Sequence, residues 1–75
     1  MNRLNLDELR TAYKQSTDLW IQAIRAEEAL ATPDHSEVAW ERWDDAALAE
    51  QDAGAKARQA KEHYKDALRQ ANLGF

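Results

Sequence analysis

The chain has 75 residues, a length at which one hydrophobic core is marginal without disulfide bonds, a metal ion or a second subunit. Alanine, glutamate, lysine, leucine and arginine supply 40 of these residues, a composition typical of long helices and coiled coils. The absence of cysteine excludes disulfide bonds and thiol chemistry, and a net charge of −4 argues against a general DNA-binding protein. We therefore expect a single all-α domain, residues 1–75.

The first predicted helix covers residues 6–31. Asn5 is placed to cap it, Glu8 follows three residues later as in a capping box, and Leu4 is placed to contact Leu9. Apolar residues then recur at helical spacing, interrupted by the polar residues Ser16 and Glu27. The stripe consists of Leu6, Leu9, Tyr13, Trp20, Ala23, Ile24 and Leu30.

The only clear break in the helical pattern is the predicted turn, residues 32–36. The proline in this segment disfavours helical geometry at Thr32, the residue before it. Thr32, Asp34 and Ser36 could each cap the following helix, and the spacing from Asp34 to Glu37 matches a capping box best. A connection this short predicts that the two helices run antiparallel.

The second predicted helix covers residues 37–71 and leaves a short tail, residues 72–75. A glycine inside a helix costs about 1 kcal/mol relative to alanine, but no proline or cap accompanies Gly54. We therefore predict a hairpin of two long helices, and the alternative is a break near Gly54 that gives a three-helix bundle. The charge of −6 over residues 34–52 and +3 over residues 53–75 suits the dipole of one continuous helix.

The register of the hairpin follows if the turn is centred between residues 33 and 34. The predicted facing pairs are Tyr13 with Gly54, Trp20 with Ala47, Leu9 with Ala57, and Ile24 with Trp43. Large residues face small ones in three of these four pairs, as in well-packed helical layers. In this register, residues 62–72 extend nearly three turns beyond the first helix and need cover.

A two-fold homodimer of hairpins, in a four-helix arrangement, would supply that cover. The second helix is nearly self-complementary when it is reversed about Gly54, because its acidic half then lies along its basic half. Its many small residues also allow another helix to approach closely. The predicted dimer seam consists of Trp43, Ala46, Ala53, Gly54, Ala57, Ala60, Tyr64 and Leu68.

No set of residues has the pattern of a catalytic, cofactor or metal site. Glu62, His63 and Asp66 come closest to a metal-binding face, but the residue one turn earlier is a poor ligand. Glu27 and Glu50 interrupt apolar stripes, yet no Glu-x-x-His pair accompanies them, as a di-iron site would require. There is also no phosphate-binding glycine loop and no activated nucleophile. We therefore expect neither enzymatic activity nor a cofactor.

The tryptophans favour a role in protein–protein interaction, since tryptophan is a frequent anchor of such interfaces. Trp20 and Trp43 are assigned to the core, whereas Trp40 is predicted to be exposed among acidic residues. The predicted docking site consists of Trp40, Glu37, Glu41 and Asp44. We expect a cytoplasmic regulator (an adaptor, anti-activator or inhibitor) that acts as a homodimer and docks onto a target protein of unidentified nature.

Two other functions remain open at this point. The basic half of the second helix could follow the phosphates of RNA, although Glu62 and Asp66 interrupt it and make nucleic acid the weaker hypothesis. Its basic residues are Lys56, Arg58, Lys61, Lys65 and Arg69. The other possibility is a purely structural assembly module. No apolar run approaches the length of a membrane span, so no membrane partner is expected.

Overall fold

The computed structural model describes residues 5–73, which form two α-helices and an eight-residue connection between them. The first helix, α1, is Leu6–Glu28, and the second, α2, is Glu37–Leu73. The helices pack against each other in antiparallel directions. The predicted all-α hairpin is confirmed. Because α2 passes through Gly54 without interruption, the alternative three-helix bundle is wrong.

The start of α1 is held by the predicted cap. Asn5 has an extended backbone, and its Oδ1 accepts a hydrogen bond from the backbone amide of Glu8 at 3.0 Å. Asp7 and Glu8 lie in the first turn, where negative charge favours the helix N-terminus. The predicted contact between Leu4 and Leu9 lies outside the described residues, since it involves Leu4.

The end of α1 comes three residues earlier than predicted. Beyond Glu28, the backbone amides of Leu30 and Ala31 donate to carbonyl groups three residues back, at 3.1 and 3.0 Å. The last turn therefore tightens from α-helical to 3₁₀-type hydrogen bonding, a common way to satisfy the final carbonyl groups of a helix. As a result, the connection spans residues 29–36 instead of 32–36.

Ser36, and not Asp34, caps the start of α2. The Ser36 Oγ accepts a hydrogen bond from the backbone amide of Ala39 at 3.1 Å, as an N-cap does. The Asp34 Oδ1 accepts one from the backbone amide of Ser36 at 2.9 Å, so the expected capping box with Glu37 is not formed. The amide and hydroxyl of Ser36, together with the charge of Arg42, hold the pKa of Asp34 below its usual value.

The contact between the helices follows a seven-residue repeat. Apart from Thr17, the half-buried positions of α1 are Leu6, Leu9, Tyr13, Ser16, Trp20, Ala23 and Glu27. The buried and half-buried positions of α2 with the same spacing are Ala39, Trp43, Ala46, Glu50, Ala53, Ala57, Ala60, Tyr64 and Ala67. Steps that alternate between three and four residues are typical of a coiled coil. The seam therefore passes through Ser16 and Glu27, the two polar interruptions, and leaves Ile24 42% exposed.

The core along this seam is thin. Its most buried apolar residues are alanines, Ala57 at 2% exposure and Ala67 at 3%, and among the described residues no large side chain is fully buried. The molecule is a rod of 58 × 18 × 13 Å. Its Cα radius of gyration is 17.3 Å, whereas a compact chain of this length has a value of about 11 Å. Much of each helix is therefore left facing outward.

The two helices pair about two turns away from the predicted register. Trp20 lies against Gly54 instead of Ala47, and Tyr13 packs against Tyr64, at 6.4 Å between ring centroids, instead of Gly54. A displacement of seven residues returns to the same side of a coiled-coil helix. Helical periodicity therefore indicates which side of α2 meets Trp20, but it does not distinguish Ala47 from Gly54.

The observed register moves the unpaired part of α2 to the turn end of the rod. Only eight residues of α1 follow Trp20, whereas seventeen residues of α2 precede Gly54, so α2 begins about 13 Å beyond the end of α1. The predicted overhang at residues 62–72 is wrong for most of its length. Within it, Ala67 is buried and Tyr64 packs against α1.

Candidate functional site

The exposed beginning of α2 carries all four residues of the predicted docking site. We call this region the turn-end surface, and it consists of Glu37, Val38, Trp40, Glu41 and Asp44. All five residues are exposed, with Trp40 at 58% and Val38 at 54%. The surface exists because α2 starts beyond the end of α1, so that only the connection accompanies its first turns.

The indole ring of Trp40 is held in place although it is exposed. It stacks on the ring of Trp43 at a centroid distance of 6.0 Å and an interplanar angle of 24°. Trp43 is half-buried in the seam, so the inner ring supports the outer one. Offset stacking of this kind restrains an aromatic side chain and lowers the entropy that it would lose on binding a partner.

The turn-end surface is strongly acidic. Glu37, Glu41 and Asp44 form no ion pair with any residue from 5 to 73, so no described side chain neutralises their charges by direct contact. Residues 34–52 together carry a net charge of −6. Uncompensated charge of one sign attracts and orients partners of the opposite sign. The combination of an exposed aromatic ring and acidic neighbours was visible in the sequence.

A second group of polar contacts surrounds Trp20 at the middle of the rod and joins α1 to α2. The Trp20 Nε1–H donates to Glu50 Oε2 at 2.6 Å, and the Arg58 guanidinium carbon lies 5.1 Å from the centre of the indole ring. Sequence analysis missed this arrangement, although it noted Glu50 as a polar interruption of the apolar stripe. A buried indole N–H usually requires an acceptor, and that requirement was the available signal.

The residues of the predicted dimer seam lie on the side of α2 that faces α1. Gly54 and Ala57 are buried there, Gly54 against Trp20, and Tyr64 packs against Tyr13. The remaining five are half-buried along the same side: Trp43, Ala46, Ala53, Ala60 and Leu68. Within one protomer this side of α2 is partly covered by α1, so less of its surface is left for a second copy. The dimer itself stays a prediction.

The basic half of α2 is largely neutralised by acidic residues one turn earlier. Three of its five cations are in exposed ion pairs: Lys56 with Asp52 at 3.1 Å, Lys65 with Glu62 at 3.7 Å and Arg69 with Asp66 at 2.5 Å. Arg58 and Lys61 pair with no described carboxylate and border a shallow groove beside Trp20. A row of phosphates would therefore meet only two cations without an ion pair in the described part of this basic half, and RNA binding stays the weaker prediction.

Residues 5–73 contain no group of three or more His, Asp or Glu side chains placed to hold a metal ion. Glu62 and Asp66, which came closest in the sequence, are engaged by Lys65 and Arg69. Neither of the two described helices combines the length and the apolar character that crossing a bilayer requires.

Comparison of the chain with protein-family models, with curated proteins and with solved structures finds no match. No relative therefore supplies a function. The function is therefore inferred from the exposed side chains of the hairpin and from the distribution of its charge.

Proposed function

We propose that the protein is a small, non-enzymatic regulator that docks onto a target protein through the turn-end surface. The observation that supports this most directly is the position of Trp40, which is 58% exposed yet fixed by its stacking on Trp43. Burying a large apolar side chain is worth on the order of 2 kcal/mol, and the hairpin alone does not gain it at Trp40. Exposed, pre-positioned tryptophans are frequent hot spots of protein interfaces.

The charge around Trp40 indicates the chemistry of the target. Glu37, Glu41 and Asp44 surround the ring and lack partners among the described residues. A complementary site on the target combines an apolar pocket for the indole with lysine or arginine side chains around it. Such charge pairs at the rim of an interface act mainly on the rate of association.

We further propose that the protein forms a homodimer in a four-helix arrangement. The single hairpin exposes 6089 Å², whereas a globular monomer of this mass exposes about 4,700 Å². Its exposed apolar side chains beyond the turn-end surface include Leu19, Ile21, Ile24 and Leu48. A contact that covers about 800 Å² of each copy, the usual size of a specific interface, would remove part of this excess.

The docking proposal is tested by affinity capture with matched baits. Wild-type protein, the variant Trp40→Ala and the control variant Leu19→Ala are each used to capture binding proteins from the source cells. Leu19 is 59% exposed in the middle of α1, so its replacement removes a comparable apolar side chain away from the turn end. We expect one stoichiometric protein with wild type and Leu19→Ala, and a loss of about 2 kcal/mol of binding free energy with Trp40→Ala.

A charge variant separates docking from folding. Glu41→Lys should chiefly slow the association of the captured protein and change its salt dependence, because Glu41 is exposed and bonded to no other side chain in the described structure. Equal capture by all four baits would contradict docking at this surface. Loss of helicity in Trp40→Ala, measured by circular dichroism, would place Trp40 in the core instead.

A further inference from the structure

One stripe of α2 carries charges that are reversed about its midpoint. It consists of Glu37, Asp44, Gln51, Arg58 and Lys65. We call it the b-stripe, because these residues occupy position b of the seven-residue repeat when Trp43 and Glu50 are at position a. All five residues are exposed, and a spacing of seven keeps them on one side of a coiled-coil helix. Two acidic residues precede Gln51, and two basic residues follow it at the same distances. The stripe is therefore complementary to itself when its direction is reversed.

Most charges of the b-stripe have no ion-pair partner among residues 5–73. Glu37, Asp44 and Arg58 form no ion pair with the described residues, and Lys65 approaches Glu62 only to 3.7 Å. Arg58 is instead held over the Trp20 ring, which restrains its guanidinium group. Glu37, Asp44 and Arg58 are thus available to charges from outside, and Lys65 holds only an exposed and long ion pair with Glu62 that a second copy can replace.

Exposed apolar side chains surround the midpoint of the stripe. Leu48, three residues before Gln51 on α2, is 65% exposed. Ile21 and Ile24 of α1 are 47% and 42% exposed, and in the observed register they lie level with the middle of α2. Three of the largest exposed apolar side chains of the hairpin are therefore near the midpoint, with acidic residues to one side and basic residues to the other.

Ile21 and Ile24 of α1 lie on the same side of the rod as the b-stripe. Thr17 of α1 and Arg58 of α2 line one groove beside Trp20, so these two residues mark a common side. Ile21 and Ile24 follow Thr17 by four and seven residues, which places them on its stripe of α1. Gln51 precedes Arg58 by seven residues and lies on its stripe of α2. The apolar centre and the b-stripe therefore form one continuous face.

We propose that this face binds a second copy of the chain in the antiparallel direction, about a two-fold axis that passes near Gln51. The two-fold operation places Asp44 of each copy opposite Arg58 of the other, and Glu37 opposite Lys65. The isoleucines and Leu48 meet at the centre, so that the interface has an apolar middle and charged ends. A two-fold contact of this kind is self-limiting and produces a dimer, not a filament.

The parallel arrangement of the same two faces is disfavoured by charge. It would place Asp44 opposite Asp44 and Arg58 opposite Arg58, and like charges in direct opposition weaken association. The proposal rests on the homodimer proposed above and assigns its face and direction. Glu37 and Asp44 belong to the turn-end surface as well, so the dimer contact and the docking site share these two side chains.

The direction of pairing is tested by mixing two charge variants. Asp44→Arg alone places like charges opposite each other in both symmetry-related contacts, and Arg58→Asp alone does the same with the opposite sign. In an equimolar mixture, the heterodimer has one native contact and one reversed contact, and both join opposite charges. By sedimentation equilibrium, we expect each variant alone to dimerise at least about tenfold more weakly than wild type, and the mixture to recover wild-type affinity.

Two further sets of variants keep this test independent of folding. Asp45→Arg makes the same charge change as Asp44→Arg but one residue outside the b-stripe, and it should leave the dimer affinity within about twofold of wild type. Glu37→Lys and Lys65→Glu repeat the mixing experiment away from Trp20, in case Arg58→Asp disturbs the indole. Circular dichroism of every variant checks that the hairpin is intact.

Each outcome has a distinct meaning. Recovery in both mixtures supports the antiparallel face. A wild-type dimer whose affinity is unchanged by the single variants, or a failure of both mixtures to recover it, overturns the face and leaves the homodimer standing. A wild-type monomer at every concentration overturns the face and the homodimer together. None of these results decides docking onto the target, which is read from the capture by Trp40→Ala and Glu41→Lys.

Discussion

Trp20 meets α2 through the face, the N–H group and the edge of its indole ring. Arg58 lies over the face, Glu50 accepts from the N–H group, and the edge rests on the backbone of Gly54. A Cβ atom added at Gly54 would lie 2.9 Å from Cε2 and Nε1 of Trp20. The glycine is therefore a notch that admits the ring, at a position where helix propensity alone favours alanine.

Because Trp20 lies so close, it determines whether a substitution at Gly54 raises or lowers the free energy of unfolding. Gly54→Ala gains about 1 kcal/mol of helix propensity but overpacks the indole, which typically costs about 1–3 kcal/mol. We expect a net loss of about 1 kcal/mol in the wild-type background, measured by urea unfolding. In a Trp20→Leu background, where the ring is absent, the same substitution should stabilise the hairpin by about 1 kcal/mol. If Gly54→Ala stabilised the hairpin in both backgrounds, the indole ring would not require the missing Cβ atom of Gly54.

At the scale of the helices, both N-termini are fixed by short polar side chains. Asn5 caps α1, and the connection builds a chain of hydrogen bonds toward α2. In it, Thr32 Oγ1 accepts from the amide of Asp34, Asp34 from the amide of Ser36, and Ser36 from the amide of Ala39. These local bonds orient α2 as it leaves the end of α1. They also make the start of α2 sensitive to the charge of Asp34.

The loss of stability at acidic pH should therefore depend on the ionisation of Asp34. Its pKa in the folded protein is lowered from 3.8, first by the backbone amide of Ser36, so the charged carboxylate favours the folded state. That contribution is fully present above the unfolded value and is lost as the pH falls from about 4 through the folded pKa. We expect Asp34→Asn to flatten this part of the stability–pH profile, measured by urea unfolding. An NMR titration that gives Asp34 a pKa above 3.8 would contradict the hydrogen-bond arrangement.

For the whole molecule, the register between the helices decides what is exposed. If Trp20 faced Ala47, as the sequence predicted, the positions of Glu50 and Arg58 would be taken by Trp43 and Gln51. Neither residue offers a carboxylate to the indole N–H or a cation to the ring. The observed register satisfies both groups and leaves the first turns of α2, including Trp40, beyond the end of α1.

The register is accessible to NMR spectroscopy. We expect nuclear Overhauser effects between the rings of Tyr13 and Tyr64, whose centroids are 6.4 Å apart, and between the Trp20 ring and the α-protons of Gly54. The Gly54 α-protons should also show a ring-current shift that disappears in Trp20→Leu. Effects that join Trp20 to Ala47 would instead support a hairpin displaced by two turns.

The sequence by itself determined the local features of this protein. Two helices, the cap at Asn5, the break around Pro33 and the uninterrupted passage through Gly54 all depend on signals that lie within a turn or two of the chain. The acidic neighbours of Trp40 were likewise visible in the sequence, whereas its exposure depends on the register between the helices. Each of these local features depends on neighbours that are close in sequence.

Only the tertiary structure decided how far one helix is displaced along the other. A seven-residue repeat presents equivalent sides at Ala47 and Gly54, so periodicity cannot choose between them. The choice depends on the missing Cβ of Gly54, the carboxylate of Glu50 and the guanidinium of Arg58 acting together on Trp20 of the other helix. A contact across the hairpin, and not a local preference, therefore selects one of several equivalent registers.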